Sequence, residues 1–151
     1  MDAREDILQL FKNITAAWST GEGPAFARFF TDDAHFVAFD GTTLIGSRAI
    51  GDWHQPPFDT YLRGSRLHIE IAEIRQLSED AALVFTSGNP FWKDSSKGRS
   101  IGLEVQTFSL KRQPDSSWLV WSFQNTRVRS LNKPRGVLVW IAFDWLWNLL
   151  V

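Results

Sequence analysis

The 151-residue chain contains no cysteine. Disulfides, thiolate nucleophiles and cysteine-ligated metals are therefore excluded. Its three histidines, His35, His54 and His68, are scattered without ligand spacing, so no metal site is expected. An excess of either charge is also missing: 16 Lys and Arg against 17 Asp and Glu leave a formal charge of −1. Nucleic acid, which calls for a basic patch, is not an expected partner. No GxSxG elbow occurs, and no GxxxxGK or GxGxxG loop is present to cradle phosphates. The run KDSSKGR (93–99) reads as a solvated hairpin tip rather than an anion site. Nothing in this inventory calls for a cofactor. The start, MDAREDILQL, is charged and then amphipathic, without a basic residue run followed by an apolar stretch. A cytoplasmic location is the expectation that follows. No internal repeat, linker or low-complexity segment breaks the chain.

What the chain does have is apolar bulk. Hydrophobic residues make up 44% and aromatics 14%, with 12 Phe and 8 Trp but a single Tyr, Tyr61. That is enough to bury the core of one domain. Ile7, Leu10, Phe11, Ile14, Ala17 and Trp18 recur at three- and four-residue steps, which predicts an amphipathic helix. Gly21 stops it, and Pro24 opens a short second helix in PAFARFF. TDDA (31–34) reads as a turn and HFVAF (35–39) as a strand. Asp40-Gly41 then predicts a hairpin into TTLIG. Ser47 is suited to cap a third helix carrying Ile50 and Trp53 or His54, which Pro56-Pro57 should break or offset.

From Ser65 onward the texture changes. Four long strands are predicted, SRLHIEIAEIRQL, AALVFTSGNPFW, SIGLEVQTFSLKR and SWLVWSFQNTRVR, parted by the turn clusters SED, KDSSKG and QPDSS. Links this short favour antiparallel neighbours. Helices first and a long meander after predict an α+β fold, with the helices on one face of a curved antiparallel sheet.

The order FTDDAHFVAFDG, LIGSRAI, a histidine, then strands ending in FQNTRV resembles the nuclear-transport-factor-like (ketosteroid-isomerase-like) superfamily. Within it the chain is most similar to the SnoaL-like group that includes the SgcJ/EcaC proteins. The likeness covers roughly residues 5 to 129. It implies a cone-shaped antiparallel sheet wrapped around three N-terminal helices, an open apolar pocket, and a homodimer through the sheet's outer face. Residues 1–132 would form this cone domain. The superfamily holds isomerases, cyclases, dehydratases, hydrolases and proteins without catalysis, so likeness alone leaves the reaction open.

Candidate chemistry can be placed on this frame. The isomerases carry a general base on the first strand. Counted from DDA, its position falls on Ala38, and Asp40 lies two residues on, on the same strand face. Their oxyanion-donating tyrosine on the first helix falls on Ile14. Asp40 is thus either an acid–base residue or the first residue of an Asp-Gly turn. His54 on the third helix is either a pocket base and ligand donor or a hydrogen-bonded core residue. On the last strand Leu119, Trp121, Phe123, Asn125 and Arg127 share one face, an apolar column that turns polar at its end. Glu104, Gln106 and Phe108 make a similar column on the strand before. Trp53, Glu104, Gln106, Trp121, Phe123 and Asn125 are therefore the candidate ligand-binding set, with Asp40 and His54 as the catalytic candidates. The polar members alternatively satisfy one another across the ladder, or lie at a dimer interface.

The expected ligand is a small apolar molecule, polyketide-like or carbonyl-containing. The alternative is a non-catalytic module for oligomerisation or membrane-surface contact, and the end of the chain motivates it. GVLVWIAFDWLWNLLV (136–151) reads as an apolar, Trp-rich helix within a C-terminal segment 133–151 beyond the cone. Fifteen residues of helix span about 22 Å, short of a bilayer core, and Asp144 sits mid-way. Such a helix packs on its own cone, exchanges into a partner subunit, or lies as a peripheral contact in a membrane interface with Lys133 and Arg135 toward the head groups.

Overall fold

The computed structural model describes residues 2–92 and 103–128. The hairpin tip at 93–99 and the C-terminal helix expected at 136–151 lie outside the described residues. Helix α1 spans Ala3–Trp18, α2 Gly23–Ala27 and α3 Ser47–Asp59. The strands are β1 Phe30–Val37, β2 Thr43–Ile45, β3 Arg66–Gln76, β4 Ala81–Phe91, β5 Glu104–Arg112 and β6 Trp118–Arg127. They form one curved sheet in the order β2-β1-β6-β5-β4-β3.

The α1 helix follows its apolar spacing closely. Asp2 caps its N-terminus by accepting from the Arg4 N–H, and all six residues of the predicted stripe are buried. Pro24 sits in the first turn of α2, where its missing N–H leaves no partner unsatisfied. The α2 and α3 helices touch through glycines: a Cβ on Gly23 would collide with the Gly51 carbonyl oxygen. Gln55 secures the contact, its Oε1 accepting from the Gly23 N–H at 2.7 Å. The helices line the concave face of the sheet, α1 against β3 and β6, α3 against β1 and β2. Between them lies one aromatic-rich core that includes Phe11, Phe26, Phe36, Phe58, Phe108 and Phe123.

Four expectations are corrected. The sheet is mixed: β1 runs parallel to β6, while all other neighbours are antiparallel. These two strands are joined through most of the chain, so no tight turn dictates their direction. Second, TDDA is no turn but part of β1. Five residue steps from Phe30 to His35 match only two from Val120 to Ser122, so this acidic stretch bows out of the parallel ladder. Third, α3 is capped one residue earlier than expected, at Gly46 with φ 88°, and Ser47 Oγ instead donates to Asp32 Oδ1 at 3.1 Å. Fourth, α3 continues through Pro56 and Pro57 to Asp59. Both prolines sit in its final turns, and their own carbonyls are satisfied by Thr60 Oγ1 on Pro56 and by the Leu62 N–H on Pro57 at 2.8 Å.

Candidate functional site

The helices do not fill the concavity. A cavity of about 160 Å³ remains between α1, α3 and the inner face of the sheet. Nine of its twenty described lining residues are Phe, Trp or Tyr. Ile14 and Trp18 reach it from α1, Phe36 from the end of β1, Ala38 from just beyond it, and Leu67 and Ile69 from β3. Its rim is marked by Phe39, 40% exposed, and Tyr61, 61% exposed. The positions that the isomerase likeness assigns to base and oxyanion donor, Ala38 and Ile14, are thus in the cavity wall, but both are apolar and buried.

His54 projects from α3 into this lining and is only 4% exposed. Its Nδ1 lies 2.7 Å from the Ile50 carbonyl oxygen. A carbonyl only accepts, so Nδ1 carries the proton, and Nε2 of the neutral ring is an acceptor. Five rings surround the imidazole: Phe26 at 4.7 Å, Trp53 at 4.9 Å, Phe36 at 5.4 Å, Phe58 at 5.9 Å and Trp18 at 6.0 Å between centroids. Burial among them lowers the His54 pKa to about 4, and the Ile50 bond only partly opposes this. At neutral pH the ring is uncharged and a weak base.

The polar end of the cavity belongs to β5 and β6, where a ladder runs across the strands. Thr86 Oγ1 donates to Gln106 Oε1 at 2.7 Å. Gln106 Nε2 donates to the Gly88 carbonyl at 3.3 Å and, weakly, to Asn125 Oδ1 at 3.4 Å. Asn125 Nδ2 donates to Glu104 Oε2 at 2.7 Å, and Arg127 Nη2 donates to Glu104 Oε1 at 3.2 Å. The register explains this chain of contacts, since Gln106 faces Asn125 and Glu104 faces Arg127. Arg127 also lies 4.1 Å above the Phe39 ring, tying the β1–β2 turn at the rim to the end of β6.

Of the residues singled out in the sequence, the structure brings Trp53, His54, Glu104, Gln106, Phe123 and Asn125 to one cavity. Two stand elsewhere. Asp40 is exposed in the turn after β1, which ends at Val37 rather than at Asp40. Its Oδ1 accepts from the Thr42 N–H at 3.0 Å, and that bond holds its pKa below the ordinary carboxylate value. Strand alternation no longer applies there, because the chain is already turning toward Gly41, at φ 86°. Trp121 is 49% exposed on the face away from the helices. Ser109 pairs with Ser122 and Leu110 with Val120, so Trp121 is the extra residue of a bulge, which offsets the alternation between Val120 and Phe123. Sequence reasoning passed over Phe39 and Tyr61 at the rim. Only the isolation of Tyr61 as the sole tyrosine set it apart, and nothing in the alternation marks Phe39.

No family model matches the chain, and no curated protein does. Solved structures do match. A domain of unknown function with a cystatin-like fold from Nostoc punctiforme superposes with a TM-score of 0.78 at 24% identity, covering 99% of this chain and 96% of that one. An NTF2-like protein with a cystatin-like fold from Novosphingobium aromaticivorans gives 0.73 at 18% identity, with 89% and 88% covered. A putative calcium/calmodulin dependent protein kinase II association domain from Xanthomonas campestris gives 0.70 at 18% identity, with 86% and 90% covered. The chain therefore has the NTF2-like, cystatin-like fold, as its sequence resemblance implied. Among the described residues no helix is long and apolar enough to cross a membrane.

Proposed function

We propose that the chain binds a small, mainly apolar molecule inside the cone, about one aromatic ring in size with one polar substituent. The observation that carries this is the cavity itself, a ring-lined space of about 160 Å³ that the core leaves unfilled. An apolar cavity of roughly 150 Å³ admits benzene. Its described polar groups are few, Asn89 on β4, Glu104 and Gln106 on β5, Asn125 on β6, with His54 and Tyr61, the pattern of a site that orients a mostly greasy ligand.

Binding is favoured over acid–base catalysis. Asp40 stands outside the cavity, and His54, at a pKa of about 4, is a poor base near neutrality. Gln106 is not free to orient a ligand carbonyl, because both hydrogens of its amide are already directed at protein acceptors. Thermal melts with toluene, benzyl alcohol and indole test the reading. A ligand at a hundred times its Kd stabilises by about 2.7 kcal/mol, and in a chain of this size that raises the melting temperature by roughly 5–10 °C. Ala38→Phe, which plugs the wall, should erase the rise while the protein still melts cooperatively. If no ring-sized probe moves the wild-type melt at saturation, the cavity is not a binding site.

A second reading, self-association through the outer sheet face, is supported by exposed apolar residues there. Val105 is 44%, Val128 47% and Leu103 55% exposed, close to one another at the ends of β5 and β6. Sedimentation velocity of the wild type against Val105→Lys decides it. A dimer that the lysine dissociates is the expected result, and a wild-type monomer at high concentration removes this reading.

A further inference from the structure

We infer that the cavity selects a small organic amine, bound as its ammonium, over a neutral or acidic molecule with the same carbon skeleton. This rests on the ligand-binding reading above. It adds a charge preference that the apolar volume does not by itself require.

The first support is the sign of the charge at the wall. The described lining contains no lysine and no arginine. It contains one carboxylate, Glu104, which is only 4% exposed. Arg127 neutralises that carboxylate through Oε1 but is not part of the lining, so the pair is a dipole whose negative end faces the cavity. Among the described residues two donors, from Asn125 and Arg127, reach the Glu104 oxygens, and a carboxylate has about four lone-pair sites to offer. Acceptor capacity toward a ligand therefore remains.

The second support is His54. Its Nδ1–H is engaged by the Ile50 carbonyl, so the lone pair on Nε2 adds another acceptor and no positive charge. The third is the wall of rings. Trp18, Phe36, Trp53, Phe108 and Phe123 all line the space, and an aromatic face attracts a cation through its quadrupole. An ammonium entering the cavity loses water, and both the carboxylate and the π faces compensate for that loss. A carboxylate entering the same place loses water and meets Glu104 with no cation in the described wall to pair with it.

The test is a titration of the wild-type protein at pH 7.5 with benzylamine, benzyl alcohol and benzoate, three probes sharing one ring, followed by calorimetry or ligand-detected NMR. Benzylamine should bind roughly tenfold or more tighter than benzyl alcohol, and benzoate should not bind measurably. Glu104→Gln should remove the advantage of the amine, bringing the ratio of benzylamine to benzyl alcohol affinity down to about one. The comparison of probes on the wild type needs no substitution, so a Glu104→Gln protein that fails to fold does not block it. Benzyl alcohol binding as tightly as benzylamine, or benzoate binding at all, overturns the amine preference and leaves the ligand-binding reading in place. Failure of all three to bind removes the amine preference, and with toluene and indole also silent it removes the ligand-binding reading.

Discussion

His54 offers a sharp test, because a buried neutral imidazole makes stability depend on pH in a known direction. Its pKa falls from the ordinary 6.5 to about 4 in the folded chain. The unfolded chain therefore binds more protons than the folded one between those values, and stability falls as pH drops through that window. Above pH 6.5 the ring is neutral in both states and has no effect on the slope. Below about pH 4 both states are protonated and the loss is complete. The shift of about 2.5 units corresponds to about 3 kcal/mol, lost at up to ~1.4 kcal/mol per pH unit in mid-window. The perturbation that isolates it is His54→Phe, which keeps a ring in the aromatic cage and cannot titrate. Carboxylates common to both proteins cancel in the difference. Urea unfolding followed by tryptophan fluorescence at half-unit steps from pH 4 to 7.5 gives the two curves. With an m-value of about 2 kcal/mol/M, the wild-type midpoint should lose about 1.5 M more than the variant across that range. The absolute offset between them is irrelevant, since losing the Ile50 contact is independent of pH. Parallel curves, within about 0.5 kcal/mol, would refute the claim that His54 is held neutral by burial.

Three further outcomes follow from single contacts. Arg127→Ala leaves Glu104, 4% exposed, without its cation, and should cost about 3 kcal/mol at pH 7. Denaturant melts at pH 7 will show the cost, and an unchanged midpoint would contradict the pairing. Gly23→Ala drives a methyl group into the Gly51 carbonyl and must part α2 from α3, so a loss of about 2 kcal/mol or more is expected. A melting temperature within 2 °C of wild type would contradict that close approach. Ile14→Ala, at a 1% exposed position on the cavity wall, should cost about 2–5 kcal/mol and admit a larger ring such as naphthalene. Titrating naphthalene and toluene side by side reads the change in size preference.

Much of the fold was legible because it is written in short-range periodicity. The six-residue stripe of α1, Pro24 opening α2, and four runs of strand-forming residues parted by SED and QPDSS are local signals, and each describes an element that the structure contains. The misses came where periodicity is interrupted by pairing with a distant strand. TDDA looks like a turn because it is polar and short, yet β6 draws it into β1. Pro56 and Pro57 look like a break, yet they fall in the last turns of α3, where Thr60 and Leu62 cover the prolines' own carbonyls.

The candidate site divides along the same line. Strand alternation on β5 and at the end of β6 was enough to group Glu104, Gln106, Phe123 and Asn125, because residues two apart on a strand share a face whatever that strand pairs with. Alternation could not see the bulge that turns Trp121 outward, since a bulge is a relation between two strands and leaves no period in either. Nor could it see that β1 ends before Asp40, that Phe39 turns to the rim, or that five rings close around His54. Local pattern was therefore enough for most of the elements, their order and most of the sheet face that lines the cone. That the cone stays partly empty, with His54 and Glu104 buried in its described wall, follows from how the packed elements meet. Burial and volume are properties of how the helices meet the sheet, and no local stretch of chain encodes them.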